Sequence, residues 1–154
     1  MPPNTCTPNG GDQAPFLDFI RLELIPFIET GFGGDPQRRV LLGHSHGGSF
    51  VLYALFNEPA ATRSFSAYLA SDASIGCMPA TVSAWESVYA AANTSLPVRL
   101  HVSYSANVDN ARFAEQVESR HYVGLRLATQ LYPGGHIGMI PAAFTDALAF
   151  AVAP

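Results

Sequence analysis

Charged residues are scarce in this chain of 154 residues, and their scarcity excludes several classes of function. Only 13% of the residues are Asp, Glu, Lys or Arg, and the formal net charge is -4. A nucleic-acid-binding protein needs clustered lysine and arginine to neutralise phosphates, and the eight such residues here form no basic stripe. We therefore expect no nucleic-acid partner.

The sequence also lacks a long apolar run, although 48% of its residues are hydrophobic. No run approaches the roughly 20 residues of a transmembrane helix, and the N-terminus lacks the basic and apolar regions of a signal peptide. We expect no membrane partner and a cytoplasmic location. Two cysteines, Cys6 and Cys77, are too few for a metal framework or a disulfide-dense scaffold. Free thiols are expected, with a single bridge between them as the alternative.

Hydrophobic periodicity predicts one α/β domain over residues 12–154, after an irregular lead-in at 1–11 that is rich in turn-forming residues. Amphipathic segments predict a first helix in which Pro26 introduces a kink or an early end. Strands that alternate with helices form a parallel sheet covered on both faces. The predicted strands are 39–43, 65–71, 97–104 and 126–132, and the predicted helices are 12–30, 47–57, 81–92, 111–123 and 141–152.

The pentapeptide Gly43-His44-Ser45-His46-Gly47 lies between the first predicted strand and the next helix. It fits G-x-S-x-G, the nucleophile elbow, in which a strained strand-to-helix turn exposes a serine Oγ at the end of a sheet. Glycines allow close backbone packing where a side chain would clash. The pattern predicts Ser45 as a nucleophile, and a plain glycine-rich turn is the alternative.

A serine nucleophile needs a histidine to accept its proton, and the chain offers five. The turn directs His44 and His46 away from the serine Oγ. His101 and His121 fall in a predicted strand and helix, where packed or surface histidines are common. His136 follows the last predicted strand in a glycine-bearing loop, where catalytic groups of α/β sheets gather, and we predict it as the general base.

The acid that orients this histidine is less clear from the sequence. Asp109 follows the third predicted strand, next to the loop of His136, and we predict that its carboxylate accepts a bond from Nδ1. Asp72, which follows the second strand, is the alternative acid. Glu115 and Glu118 are more remote candidates, and a Ser–His dyad without an essential acid is a further possibility. The backbone N–H of His46 is the expected oxyanion donor, because it opens a predicted helix.

Four segments of the chain resemble a known family. Residues 16–29, 35–39 and 43–48, together with Pro133-Gly134-Gly135-His136, are similar to esterases of the α/β-hydrolase superfamily, including enterobactin-esterase-like and S-formylglutathione-hydrolase-like enzymes. The resemblance covers most of the chain after residue 12 and implies Ser45 as nucleophile and His136 as base. The chain departs from the family at Ser71-Asp72-Ala73-Ser74, where Ser-Pro-Ser is more usual.

Enzymes of this superfamily normally carry about four strands before the helix that begins here near residue 12, and a loop among them supplies the second oxyanion N–H. We therefore expect either a fragment of a longer product or a truncated, minimal α/β-hydrolase whose second donor comes from Gly10-Gly11 or a partner subunit. The strand at 39–43 would be an exposed sheet edge. We expect a homodimer or higher homo-oligomer that covers this edge.

Together these patterns predict a serine esterase that hydrolyses small, short-acyl esters through an acyl-enzyme, with no metal or organic cofactor. In this prediction Ser45 attacks the ester, His136 moves the proton and Asp109 orients His136. One alternative is a catalytically weak hydrolase-like module used for binding or assembly. Another is an acyltransferase, in which an alcohol discharges the acyl-enzyme.

Overall fold

The computed structural model of the protein describes residues 12–153. The chain divides into two compact units, Met1–Gln37 and Arg38–Pro154. The irregular lead-in predicted at 1–11 lies outside the described residues, and the single domain predicted over 12–154 stays a prediction. No helix within the described part of the chain is long and apolar enough to cross a membrane.

The described part of the first unit is helical over residues 13–32 and ends in a loop at 33–37. Helix α1 spans Gln13–Phe19, a π-helical turn follows at Ile20–Leu24, and α2 spans Ile25–Phe32. The helix does not end at Pro26. This proline lies in the first turn of α2, and the preceding N–H of Ile25 bonds to the carbonyl of Ile20 five residues back. The wider π turn accommodates the proline, because its missing N–H falls where the α-helical pattern is already interrupted.

The second unit is built on a four-stranded parallel sheet, as predicted. The strands lie in the order β1-β2-β3-β4. Because all three pairs are parallel, the carboxyl ends of the strands lie along one edge of the sheet. The register pairs His44 with Ser71 and Ser71 with Ser103, which aligns these residues across three strands. The strands are β1 Val40–His44, β2 Ala67–Ser71, β3 Arg99–Tyr104 and β4 Arg126–Leu131.

Helices cover both faces of the sheet. Ala67 and Leu69 of β2 pack with Ala147 on one face. Tyr68, which alternates with them, points to the other face and donates a bond to Glu58 at the end of the helix after β1. The helices that contact one another on this second face are α3 His46–Asn57, α4 Pro79–Ala92 and α5 Val108–Ser119. The first face carries α7 Ile140–Val152, preceded by the short α6 Gly135–Gly138.

Helix α5 is displaced from its predicted bounds of 111–123. It begins earlier because the side chain of Asn107 accepts a bond from the N–H of Asp109, which caps the helix. It ends at Ser119 because His121 adopts a positive φ of 52°, which an α-helix does not continue. His121, which was predicted on a face of this helix, therefore lies beyond its end.

Cys77 closes a short 3-10 turn, Ile75–Cys77, and is disulfide-bonded. The prediction of a free thiol is therefore wrong for Cys77. The other cysteine of the sequence, Cys6, lies outside the described residues. Disulfides are typical of oxidising compartments, so this bond disfavours the cytoplasmic location, which stays a prediction.

Strand β1 is one of the two edges of the sheet formed by the described residues. An edge strand offers unpaired N–H and C=O groups to another chain. The homo-oligomer expected to cover this edge stays a prediction.

Gly43, at the end of β1, lies so close to the start of α3 that a Cβ there would collide with the carbonyl group of Gly47. We expect Gly43→Ala to lower the free energy of unfolding by about 2 kcal/mol or more, measured by urea denaturation, because the backbone must open to admit the methyl group. Gly47→Ala is the matched control, since a Cβ there meets nothing within 4 Å and alanine favours the helix. Equal stability of the Gly43→Ala protein and the wild type would contradict this contact.

Candidate active site

The turn between β1 and α3 holds Ser45 in a strained backbone conformation, with φ 58° and ψ -120°. A residue other than glycine persists there only when its surroundings fix it, at a cost of about 1–3 kcal/mol. The N–H of Ser45 donates to the carbonyl of Ser71 at 2.9 Å, and its own carbonyl accepts from the N–H groups of Ser49 at 3.1 Å and Ser74 at 3.0 Å. This geometry is that expected of a nucleophile elbow.

Two glycines allow this turn to pack tightly. Gly43 lies against the backbone of Gly47, and a Cβ at Gly48 would lie 3.0 Å from both the Cα of Ala73 and the carbonyl oxygen of Ser71. A Cβ at Gly47, by contrast, would meet nothing within 4 Å.

His136 lies in α6 and faces Asp72, which directly follows β2. Its Nδ1 lies 2.7 Å from Oδ2 of Asp72. Asp72 is only 4% exposed and has a positive φ of 39°, which turns its side chain at the end of the strand. Because an ionised carboxylate only accepts hydrogen bonds, Nδ1 carries the proton, and Nε2 is left to accept one.

The predicted pairing of Asp109 with His136 is wrong. The carboxylate of Asp109 lies 3.7 Å from Arg112, and its N–H bonds to Asn107 at the start of α5. The alternative acid, Asp72, makes the bond to Nδ1. Both carboxylates follow neighbouring strands at the same edge of the sheet, so strand order alone could not separate them.

The other candidate residues lie elsewhere in the described structure. Glu115 and Glu118 are exposed on α5. His101 is buried within β3, with its ring centroid 5.8 Å from that of Phe150, as expected of a packed histidine. None of these side chains takes the place of Asp72 at His136.

His44 packs beside His136, a role that the sequence reasoning missed. Their ring centroids lie 4.4 Å apart, at an interplanar angle of 37°. Nδ1 of His44 lies 3.1 Å from Oγ of Ser71. Burial, and then the neighbouring His136, lower the pKa of His44 below its ordinary value, which favours a neutral ring at pH 7. The position of His44 could have been found from the alternation of side chains along β1. This alternation places His44 on the same face of the sheet as Leu42, which is the face covered by α7.

Ser45 Oγ contacts a second hydroxyl, that of Ser74, at 3.2 Å. Ser74 Oγ in turn lies 3.5 Å from Nδ1 of His46. His46 is the first residue of α3, so its backbone N–H has no acceptor within the helix and is available to an oxyanion. The second donor considered at Gly10-Gly11 lies outside the described residues.

Known proteins with similar sequences include two esterases. Siderophore triacetylfusarinine C esterase of Aspergillus fumigatus is 43% identical over 79 residues, which are 48% of this chain and 25% of that protein. Ferri-bacillibactin esterase BesA of Bacillus subtilis is 28% identical over 167 residues, which are 96% of this chain and 54% of that protein. The matched part is therefore a quarter of the first relative and about half of the second.

Siderophore hydrolase EstA from Aspergillus nidulans has the same fold over most of this chain. The two structures superpose with a TM-score of 0.79 at 22% identity, and the match covers 97% of this chain and 61% of that one. The model of the family described as "Putative esterase" matches residues 2–131. Because that match takes in most of the sequence, the chain belongs to this esterase family of the α/β-hydrolase superfamily.

Proposed function

We propose that this chain hydrolyses carboxylic esters through an acyl-enzyme formed on Ser45. The observation that carries the proposal is the bond from His136 to Asp72 at the sheet edge where the strained Ser45 turn lies. A serine, a histidine and a buried carboxylate are the three groups of the triad that catalyses acyl transfer to a serine hydroxyl. Membership of an esterase family supports the same chemistry.

In the first step, the acyl group moves to Ser45. Nε2 of His136 accepts the hydroxyl proton while Oγ attacks the ester carbonyl, and Asp72 stabilises the resulting imidazolium through Nδ1. The carbonyl oxygen becomes an oxyanion, which the N–H of His46 stabilises at the N-terminus of α3. The tetrahedral intermediate then collapses, and the departing alcohol takes the proton from Nε2.

In the second step, water releases the acid. Nε2 of His136 accepts a proton from water, the oxygen attacks the acyl carbon, and Ser45 recovers its proton as the ester bond to Oγ breaks. The neutral ring of His44 beside His136 suits this cycle, because it adds no second positive charge next to the imidazolium. Ser45 Oγ contacts Ser74 in the structure, and hydrogen bonds of this kind commonly realign when substrate binds.

The names of the relatives indicate a substrate class. One acts on the siderophore triacetylfusarinine C, and another is a ferri-bacillibactin esterase. We infer that the natural substrate of this chain is an ester bond of an iron-chelating siderophore. Short-acyl p-nitrophenyl esters, the class expected from the sequence, then serve as probes of the same bond cleavage.

Replacement of the nucleophile tests the mechanism. We expect Ser45→Ala to lower kcat on p-nitrophenyl butyrate by more than about 1000-fold, because no other group forms the acyl-enzyme. A fluorophosphonate should label the wild type and not this variant. Ser49→Ala is the matched control, since that hydroxyl is buried in α3 without a partner among the described residues. Undiminished turnover by Ser45→Ala would overturn the mechanism, and a chain that neither turns over ester nor is labelled would be a binding module.

Replacement of the two aspartates tests which one orients His136. We expect Asp72→Asn to lower kcat by up to about 10⁴-fold, because an amide that donates to Nδ1 forces the wrong tautomer. Asp109→Asn, which changes a carboxylate at the same edge of the sheet, should leave kcat close to the wild-type value. A large loss in Asp109→Asn with none in Asp72→Asn would reverse the assignment, and losses in neither would indicate a Ser–His dyad.

The substrate class has its own test. We expect the wild-type chain to cleave triacetylfusarinine C or bacillibactin with a higher kcat/KM than p-nitrophenyl butyrate, measured by chromatography of the hydroxy-acid products. Ser45→Ala controls for spontaneous hydrolysis. Cleavage of the probe alone would contradict the siderophore class, and ester products formed only with added alcohol would indicate an acyltransferase.

A further inference from the structure

The carboxylate of Asp72 accepts hydrogen bonds from Ser105 as well as from His136. The N–H of Ser105 donates to Oδ1 at 3.3 Å, and its Oγ donates to Oδ2 at 3.0 Å. Oδ2 is therefore shared between the hydroxyl of Ser105 and Nδ1 of His136. Ser105 directly follows β3 and is itself only 8% exposed.

Asp72 depends on such support because its backbone leaves β2 in a strained conformation. Its φ is 39°, and its N–H donates to the carbonyl of Ser103 on β3 at 2.7 Å. A carboxylate bonded only to a histidine retains rotation about two side-chain torsions. The two donors of Ser105 engage both oxygens, and bonds to a charged acceptor are stronger than those between neutral groups.

We propose that Ser105 is a positioning residue of this site, whose hydroxyl fixes the carboxylate of Asp72 so that Oδ2 meets Nδ1 of His136. The inference rests on the proposed function, because it assigns Ser105 a part in the same reaction. The loop after β3 is where the sequence predicted the acid. It supplies a hydrogen-bond donor instead, and this donor orients an acid that follows β2.

A purely structural role for Ser105 makes a different prediction. If its hydroxyl only compensates the burial of a carboxylate, its loss lowers stability, and any effect on turnover is independent of the charge on Asp72. If it positions Asp72, its loss lowers kcat through Asp72 and leaves KM unchanged, because no atom of Ser105 is proposed to touch substrate. The backbone N–H of Ser105 persists in every variant, so a substitution isolates the hydroxyl.

A double-mutant cycle separates these roles. We expect Ser105→Ala to lower kcat on p-nitrophenyl butyrate by about 10-fold in the wild-type background, with KM unchanged. In the Asp72→Asn background we expect less than about a 2-fold further loss, because the group on which Ser105 acts has been replaced. Ser103→Ala is the matched control, since that hydroxyl is fully buried in β3, the strand before Ser105, without a partner among the described residues. It should leave kcat unchanged.

An unchanged kcat in Ser105→Ala, or an equal loss in both backgrounds, would overturn the proposal. The nitrogen-15 resonance of His136 Nδ1 gives a readout that needs no ester turnover. We expect it to shift in Ser105→Ala and not in Ser103→Ala. If the wild type does not hydrolyse esters, the proposed function fails and this resonance alone decides the role of Ser105, with an unmoved signal counting against it.

Discussion

The strained backbone of Ser45 is the constraint on which the candidate site depends. A positive φ at a serine is unfavourable, and it is offset by hydrogen bonds with Ser71 at the end of β2 and Ser74 after it, and by the contact of Gly43 with Gly47. The carbonyl of Ser71 and the N–H of Ser74 hold the two sides of the turn. Asp72 lies between them in sequence, so one short segment both fixes the turn of Ser45 and supplies the proposed acid.

The register of the sheet explains why the supporting groups come from neighbouring strands. Parallel pairing brings His44, Ser71 and Ser103 to one level at the carboxyl edge. The hydroxyl of Ser71 therefore lies within hydrogen-bond distance of the ring of His44. Ser105, just beyond that level, donates to the carboxylate of Asp72. His136, which follows β4 in the chain, contacts both the ring of His44 and the carboxylate of Asp72. His136, the proposed base, is thus oriented by its hydrogen bond to Asp72 and packs against the ring of His44.

Much of this arrangement is predictable from the sequence, because it depends on the spacing of glycines and on the pattern of apolar residues. The glycines around Ser45, an apolar strand before it and a helix after it predict the sharp turn at Ser45, and the place of His136 after the last strand predicts that it lies at the same edge. The direction in which a loop side chain points cannot be predicted from such patterns. Asp72 reaches His136 because its backbone adopts a positive φ. This conformation cannot be predicted from the presence of an aspartate at that position. Likewise, Ser74 and Ser105 carry no pattern that separates them from other loop serines.

In the proposed mechanism the segment that carries Asp72 and Ser74 must also be rigid, because a shift in it would move both the proposed acid and the turn of Ser45. The structure anchors it at successive points. The side chain of Asn110, fully buried in α5, donates to the carbonyl of Ala73 at 2.9 Å. The N–H of Asp72 donates to the carbonyl of Ser103 at 2.7 Å. A site carried by a loop then has the precision usually found on strands and helices, because hydrogen bonds to α5 and β3 replace the missing secondary structure.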